Sequence, residues 1–453
     1  MTATERSTAT TRLPKRTIAT YAVGSLGTGG FATLPGLVLV YYLTDTLGVT
    51  ALVAGILVTA AKVWDVVIDP VIGGRSDRSL ARTGSRRRFM VLGAVLLPVF
   101  FILTFAVPAG MPPLVAGGWV LVAFVLAATA FSLFQVPYIA LPAELSQNYD
   151  ERTRLLTWRV VVLTLAILLF GAGGPALRSL GGGSTFLGYL LMAVVAGLVI
   201  GAGMFASSFV ARRGLLPELA EKPASIRENY AAGLRALKRS QPFRALLATF
   251  LLQGLATGLM LAGAQYVATW VLRSEDAVTF LFIALIAPAL LAAPLWGLIA
   301  NRVGKERGFV WASILFGLAA LSLLGLLWAP GAWVYLPVAL AGAAYAGMQS
   351  LPMAMLPDVI SHDAVEHGEG QAGTFGGMWT AGETTGMALG ATVLTIVLAI
   401  AGYAESVAGV DVVQSDAAVA GIVVSFSAVP AAIIGLSLLT LARYRLRKDT
   451  IGR

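Results

Sequence analysis

Apolar residues come in twelve long runs, near 17–43, 50–74, 89–108, 115–145, 155–177, 186–211, 243–271, 277–300, 308–328, 333–357, 371–403 and 418–442, with short polar segments between them. About 20 apolar residues in a helix match the hydrocarbon thickness of a bilayer. The pattern predicts an all-α membrane protein with twelve transmembrane helices. The longest polar stretch, about Arg212 to Gln241, separates six runs from six and carries Ile226, Tyr230, Leu234 and Leu237 at helical spacing. That period predicts an amphipathic cytoplasmic helix in a linker, residues 212–242, between six-helix units at 1–211 and 243–453.

Composition agrees: 57% of the residues are hydrophobic and 12% charged, where a soluble domain has about 25% charged. No soluble domain of any size is left over. The net charge of +9 would suggest nucleic acid in a soluble protein, but its distribution gives another reason. Of 32 lysines and arginines, 29 fall before the first run, in Arg75–Arg88, Arg152–Arg159, Arg212–Arg244 or Arg302–Arg307, or after Ala442. Arg178 and Arg273 lie on the other side, and Lys62 stands inside the membrane. The positive-inside rule puts both termini in the cytoplasm of a cell whose plasma or inner membrane holds the chain, with anionic lipid headgroups, not nucleic acid, as partners of the basic surface. Residues 1–16 lack the short apolar core of a signal peptide and read as a tail. The absence of cysteine excludes disulfides, thiolate metal sites and a cysteine nucleophile. His362 and His367, with Asp363, Glu366 and Glu369 beside them, read as a solvated loop rather than a metal site.

The two halves repeat each other. Gly73-Gly74-Arg75-Ser76-Asp77-Arg78 closes the second run and Gly297-Leu298-Ile299-Ala300-Asn301-Arg302 the eighth, 224 positions apart; Pro137-Tyr138-Ile139-Ala140-Leu141-Pro142 and Pro352-Met353-Ala354-Met355-Leu356-Pro357 close the fourth and tenth, 215 apart. Two pseudo-symmetric six-helix bundles of this kind are the architecture of carriers that rock about a midplane site.

Inside the second run stand Lys62, Asp65 and Asp69, whose spacing puts them on one helical stripe. Each charge at the bilayer centre costs roughly 2.5–3.5 kcal/mol, so the stripe should face a wet cavity or the protein interior. Lys62 neutralises one carboxylate; the other needs a proton, a metal cation or a distant base. Pro70 lacks the N–H that Val66 would use, which makes that carbonyl a further candidate ligand. The bland alternative is a buried strut of Lys62 with one Asp, the other protonated.

Taken together, Lys62-x-Trp64-Asp65-x3-Asp69-Pro70, Gly73-x3-Asp77-Arg78, Tyr41-Tyr42-x-Thr44-Asp45, Val136-Pro137-Tyr138 and Glu151-Arg152 make the whole chain resemble the major facilitator superfamily, and within it the glycoside–pentoside–hexuronide:cation symporters, the family of the bacterial melibiose carrier and, more distantly, of the vertebrate sodium-dependent lysolipid carrier. The resemblance implies that Asp65 and Asp69 hold the coupling cation, a metal if that cation is sodium, with the Ser132 hydroxyl in place of a family threonine. It implies substrate contacts at Gln135, Tyr138, Arg159, Trp379 and Glu383, and gating by Gly73, Asp77 and Arg78. The chain departs from the pattern in three places. Ile68 replaces an asparagine ligand, which keeps a proton in play beside sodium. Thr384, with Glu383 next to it, replaces a helix 11 lysine. Gly29, Gln135 and Ile139 replace two aspartates and a tryptophan of the sugar site. The loss of that carboxylate pair suggests a less polyhydroxylated solute, or one with an anionic group for Arg159; Gln135 reads equally as an interhelical hydrogen bond.

These readings imply a monomeric, cofactor-free secondary transporter of a small organic solute (a glycoside, sugar acid or amphipathic anion), coupled to sodium or protons and working by alternating access. A proton-coupled exporter of drugs or lipids has the same fold. An intramembrane prenyltransferase would need a second acidic motif, and the second half offers Asn301-Arg302 instead. Glu383, deep in an apolar run, must be protonated, paired or on a wet path, and is expected either across the cavity from Asp65 and Asp69 or hydrogen-bonded to Thr380 or Thr384.

Overall fold

A computed structural model describes residues 12–146, 149–211, 235, 237–274, 276–367, 372–410 and 412–446. In chain order the helices are α1 (Lys15–Val23), α2 (Ser25–Asp45), α3 (Ala51–Thr83), α4 (Arg87–Phe105), α5 (Pro113–Leu145), α6 (Tyr149–Ser179), α7 (Thr185–Ser208), α8 (Gln241–Tyr266), α9 (Ala277–Val303), α10 (Lys305–Ser322), α11 (Tyr335–His367), α12 (Ala372–Ile400), α13 (Asp416–Phe426) and α14 (Ala428–Leu441). The pairs α1–α2 and α13–α14 each make one span, interrupted at Gly24 and Ser427. Among the described residues, pairing outside helices is limited to an antiparallel bridge between Leu47 and Val407.

Among the described residues, eleven spans are both long and apolar enough to cross a bilayer. The remaining helix of the twelve-run pattern, α11, is 33 residues long but dilutes its apolar run with Gln349, Ser350, Pro352 and Pro357. It packs along α9 and α10. It also continues to His367, so His362 belongs to a helix and not to the loop the sequence suggested, with Nδ1 3.6 Å from Glu366 Oε2 one turn on. Most of the expected linker helix, and residues 1–11, lie outside the described residues. At the linker's end Arg239 makes an ion pair of 2.5 Å with Asp363, which is 1% exposed.

Small residues set how closely the helices approach. Gly24, Gly27 and Gly30 recur every third position along α1–α2, and Ser207, Met204 and Ile200 of α7 fill the space their missing side chains leave. Without a hydrophobic drive between helices in lipid, such close backbone approach supplies the dispersion energy of packing. In the second half Gly386 and Gly390 of α12 lie on the backbone of α8, and Gly258 of α8 on the backbone of α12 at Met387. Leucines and valines such as Leu114, Leu291 and Leu439 remain exposed on the outside, as a lipid-facing surface requires.

Within the first half α4 packs on α5 and α7, α2 on α6 and α3 on α5; within the second, α12 packs on α8 and α11 on α9 and α10. Among the described residues, the halves join mainly through α3 with α12, α2 with α8 and α6 with α9. Their described contacts cluster at one end, the end away from the basic loops. There Thr44 meets Tyr266, Thr59 meets Thr392, Thr279 bonds the Ala172 carbonyl and Ser406 bonds the Thr44 carbonyl. The bundle is sealed at that end.

Filling the α8–α12 contact should loosen the second half. Gly258→Val and Gly390→Val are expected to cost about 1–3 kcal/mol by overpacking, read as a lower melting temperature of the purified protein in detergent. Gly297→Ala, at a position where an added Cβ meets nothing within 4 Å, should leave that temperature almost unchanged.

Candidate functional site

The stripe predicted on the second run is present on α3. Lys62 Nζ lies 3.3 Å from Asp65 Oδ2, the two side chains 29% and 14% exposed, and its ammonium stands 6.0 Å from the Phe124 ring of α5. One residue before Asp65, the Trp64 indole donates to Thr129 Oγ1 over 2.8 Å and pins α3 to α5. The same helix pairing brings Ser132, 3% exposed, to face the Asp69 carboxyl. Asp65 Oδ1 and Asp69 Oδ1 are both buried without a hydrogen-bond partner. With one ammonium for two carboxyls, the cluster carries one negative charge too many whenever both are ionised. A buried acceptor left unmet costs about 1–3 kcal/mol, more if charged. Two carboxylates and a hydroxyl are hard oxygen donors that fit a proton or a hard cation. Among the described residues no group of three or more His, Cys, Asp and Glu gathers for a metal.

The expected substrate residues divide. Gln135 of α5 accepts from Thr28 Oγ1 of α2 over 2.7 Å, so it does serve as an interhelical bond. Ile139, one turn along α5, is 49% exposed. Arg159 of α6 stands over the Tyr138 ring at 5.5 Å, and its Nε is buried without a hydrogen-bond partner. Tyr138 itself is fully buried, stacked on Tyr21 at 4.6 Å and donating to the Tyr21 carbonyl over 2.9 Å. It is a platform beneath Arg159. Trp379 is likewise corrected: 2% exposed and stacked on Phe250 at 4.2 Å, its ring belongs to the α8–α12 core. Glu383, half-buried on α12, has Tyr345 of α11 as its electrostatic neighbour, and the Tyr345 hydroxyl bonds Gln349. It does not join Asp65 and Asp69 in one acidic group in this conformation.

At the basic end the gating assignment changes as well. Arg78 is exposed and its Nε bonds the Gly74 carbonyl one turn back, while a Cβ on Gly73 would meet Val136 at an ordinary 3.6 Å. The base that grips Asp77 is Arg86, which the sequence reading left at the lipid headgroups. Its Nη1 is 2.5 Å from Asp77 Oδ1 and 2.6 Å from Ser76 Oγ, and its Nε is 2.5 Å from Glu144 Oε1 at the end of α5. In this conformation Asp77 is thus paired with Arg86 and not with its neighbour Arg78. The second half repeats the contact: Lys305, opening α10, binds Asp358 of α11 over 2.6 Å and the Ala354 carbonyl over 2.9 Å. Arg86 and Lys305 each tie the start of a third span to the end of a fourth. The signal in the sequence is Gly84-x-Arg86 beside Gly304-Lys305; what spacing does not show is that Arg86 meets Glu144, 58 residues further on.

A helical bundle in two halves, with an acidic polar stripe inside one of them, is a multi-pass membrane architecture, and its family makes it a transporter and not an enzyme. The chain belongs to the MFS/sugar transport protein family, whose model matches residues 20–448. Among its relatives, the glucuronide carrier protein homolog of Escherichia coli (strain K12) is 25% identical over 96% of this chain and 93% of its own. The sodium-dependent lysophosphatidylcholine symporter 1 of Mus musculus is 26% identical over 77% of this chain and 70% of its own. Among solved structures, the xylose transporter of E. coli in its inward open conformation superposes with a TM-score of 0.64 at 13% identity, covering 96% of this chain and 97% of that one.

The new assignment separates two arginines eight residues apart. Arg86→Ala strands Glu144 and Asp77, and breaking such a largely buried pair costs about 3–5 kcal/mol. A marked fall in melting temperature is expected. Arg78→Ala should stay within about 0.5 kcal/mol of the parent, as exposed substitutions do; equal losses from the two would return the role to Arg78.

Proposed function

We propose that this transporter couples the movement of a small organic solute with an anionic group, such as a sugar acid, to a cation gradient by alternating access. The observation that carries the reading is the pair of orphaned buried oxygens, Asp65 Oδ1 and Asp69 Oδ1, beside a single ammonium. A sodium ion or a proton bound there removes the excess charge, so the loaded half-site can turn within the membrane at less cost than the empty one. Asp65, Asp69 and Ser132 are the proposed ligands. The buried Nε of Arg159, lacking a partner, is a donor for a carboxylate or similar group, and the bare Ile139 suits a solute with fewer hydroxyls than a disaccharide. A relative named as a glucuronide carrier homolog supports the same solute class. The two six-helix units turn as separate bodies at 1–211 and 243–453. Both termini lie in the cytoplasm, where the basic loops meet anionic lipid, and the monomer is the working unit.

Transport assays in vesicles test this directly. Asp65→Asn and Asp69→Asn are expected to abolish gradient-driven accumulation while the protein still inserts and folds, since the amide keeps the size and removes the charge. Accumulation at the parent level by both variants would make the carboxylates structural. Crossing sodium, lithium and pH steps in the same assay names the ion.

Glu383 contributes a separate outcome. As a second proton acceptor, apart from the α3 cluster, its replacement in Glu383→Gln is expected to flatten the dependence of transport on pH while solute binding persists. An unchanged profile removes Glu383 from the mechanism.

A further inference from the structure

We infer that Asp45 is the latch of the sealed end: one buried carboxylate in the first half that collects the hydrogen-bond donors of the second half and so holds the closed state. Asp45 ends α2 and is 8% exposed. Its Oδ1 accepts from the Tyr403 hydroxyl at 2.5 Å and from the Trp270 indole N–H at 3.2 Å, both in the second half. Its Oδ2 accepts from Thr44 Oγ1 at 2.6 Å. With that hydrogen committed to Asp45, the Thr44 oxygen is an acceptor for Tyr266, whose hydroxyl lies 2.6 Å away. Three donors from the second half thus end on Asp45, directly or one hydroxyl removed. The backbone follows the same line. Ser406 N–H donates to the Thr44 carbonyl, Ser406 Oγ to the Asp45 carbonyl and Ala408 N–H to the Thr46 carbonyl, each at 3.0 Å, and Leu47 bridges Val407. Glu405 reciprocates, accepting the Ala51 N–H that opens α3 at 2.8 Å.

Only a carboxylate can serve here. An amide at position 45 keeps one acceptor and turns the other atom into a donor, facing groups that are all donors already. The charged side chains near this cluster are Glu405, which already accepts the Ala51 N–H, and Arg178 of α6, which stands over the Tyr41 and Tyr189 rings of its own half. When the halves part at this end, Asp45 must exchange its three donors for water. The closed state is the one the latch stabilises.

The chain has no cysteine, which makes accessibility labelling clean. Thr392→Cys places a thiol below the latch, where the parent side chain bonds Thr59 across the halves at 2.5 Å. Labelling by a membrane-impermeant maleimide from the latch side should be slow in that variant, and about tenfold faster once Asp45→Asn is added, a change on the scale of one hydrogen bond to a charged group. Tyr403→Phe should move the rate in the same direction by less. Rates unchanged in both combined variants would overturn the latch. If Asp45→Asn does not reach the membrane, Tyr403→Phe with Trp270→Phe decides the matter alone, since both positions stay aromatic while the two donors to Asp45 are removed. The result does not depend on which cation or solute is carried, so failure of the coupling reading and failure of the latch are separate findings.

Discussion

The structure depends on how ionised groups are answered where there is no water. Lys62, Asp65 and Asp69 sit on one face of α3 in the middle of an apolar run, and the ion pair at 3.3 Å settles only one of the two carboxylates. A helix that carried an unanswered charge would be driven toward the headgroups by several kcal/mol. That it stays in place follows from its neighbours: α5 supplies Ser132 and Thr129, and the cluster faces protein on that side. The remaining deficit is the useful part. A site short of one positive charge is a site whose free energy in the membrane changes when a cation arrives.

For that change to move anything, the helices must behave as two bodies with a weak seam. The glycine contacts between α1–α2 and α7, and between α8 and α12, bind each half internally through backbone approach that tolerates no side chain. The paired contacts Arg86–Glu144 and Lys305–Asp358 stiffen each half at the same point of its repeat. Between the halves the polar contacts are hydroxyls, an indole, two carboxylates and a short stretch of strand-like backbone at one end, beside apolar contacts such as Phe282 on Gly171 and Leu261 on Gly36.

Much of this was readable in the chain because membrane proteins write their fold in apolar runs and their function in the exceptions. The spans, the repeat and the α3 stripe came directly from spacing. Reading side-chain direction was harder. Tyr138 and Trp379 carry the right chemistry for a binding wall, and both are turned into the core, since a ring in a helix bundle is as useful for packing as for recognition and sequence does not distinguish the two. Arg78 adjoins Asp77 in sequence, yet Arg86 reaches it because the αL turn at Gly84 folds the chain back from the end of α3. Glu144 and Asp45 were invisible as partners for the same reason: what each binds is set by which helices meet, and Tyr403 lies 358 residues from Asp45.

A seam built from neutral donors on one carboxylate also suits the energies of switching. Net contributions of single hydrogen bonds are about 0.5–1.5 kcal/mol, rising to about 1.5–3 when one partner is charged. A handful of them amounts to a few kcal/mol. Shifting a two-state equilibrium from 1:99 to 99:1 takes about 5.5 kcal/mol of differential binding, which an ion and a solute binding together can supply. Replacing the hydroxyls by an arginine would make a salt bridge in a region shielded from water, where separating the charges leaves each one buried and unpaired at a cost of about 3–5 kcal/mol. Such a lock would hold too well for a cycle that must release it on every turn. Hydroxyls and an indole are neutral, so parting them from Asp45 leaves no second charge buried without a partner.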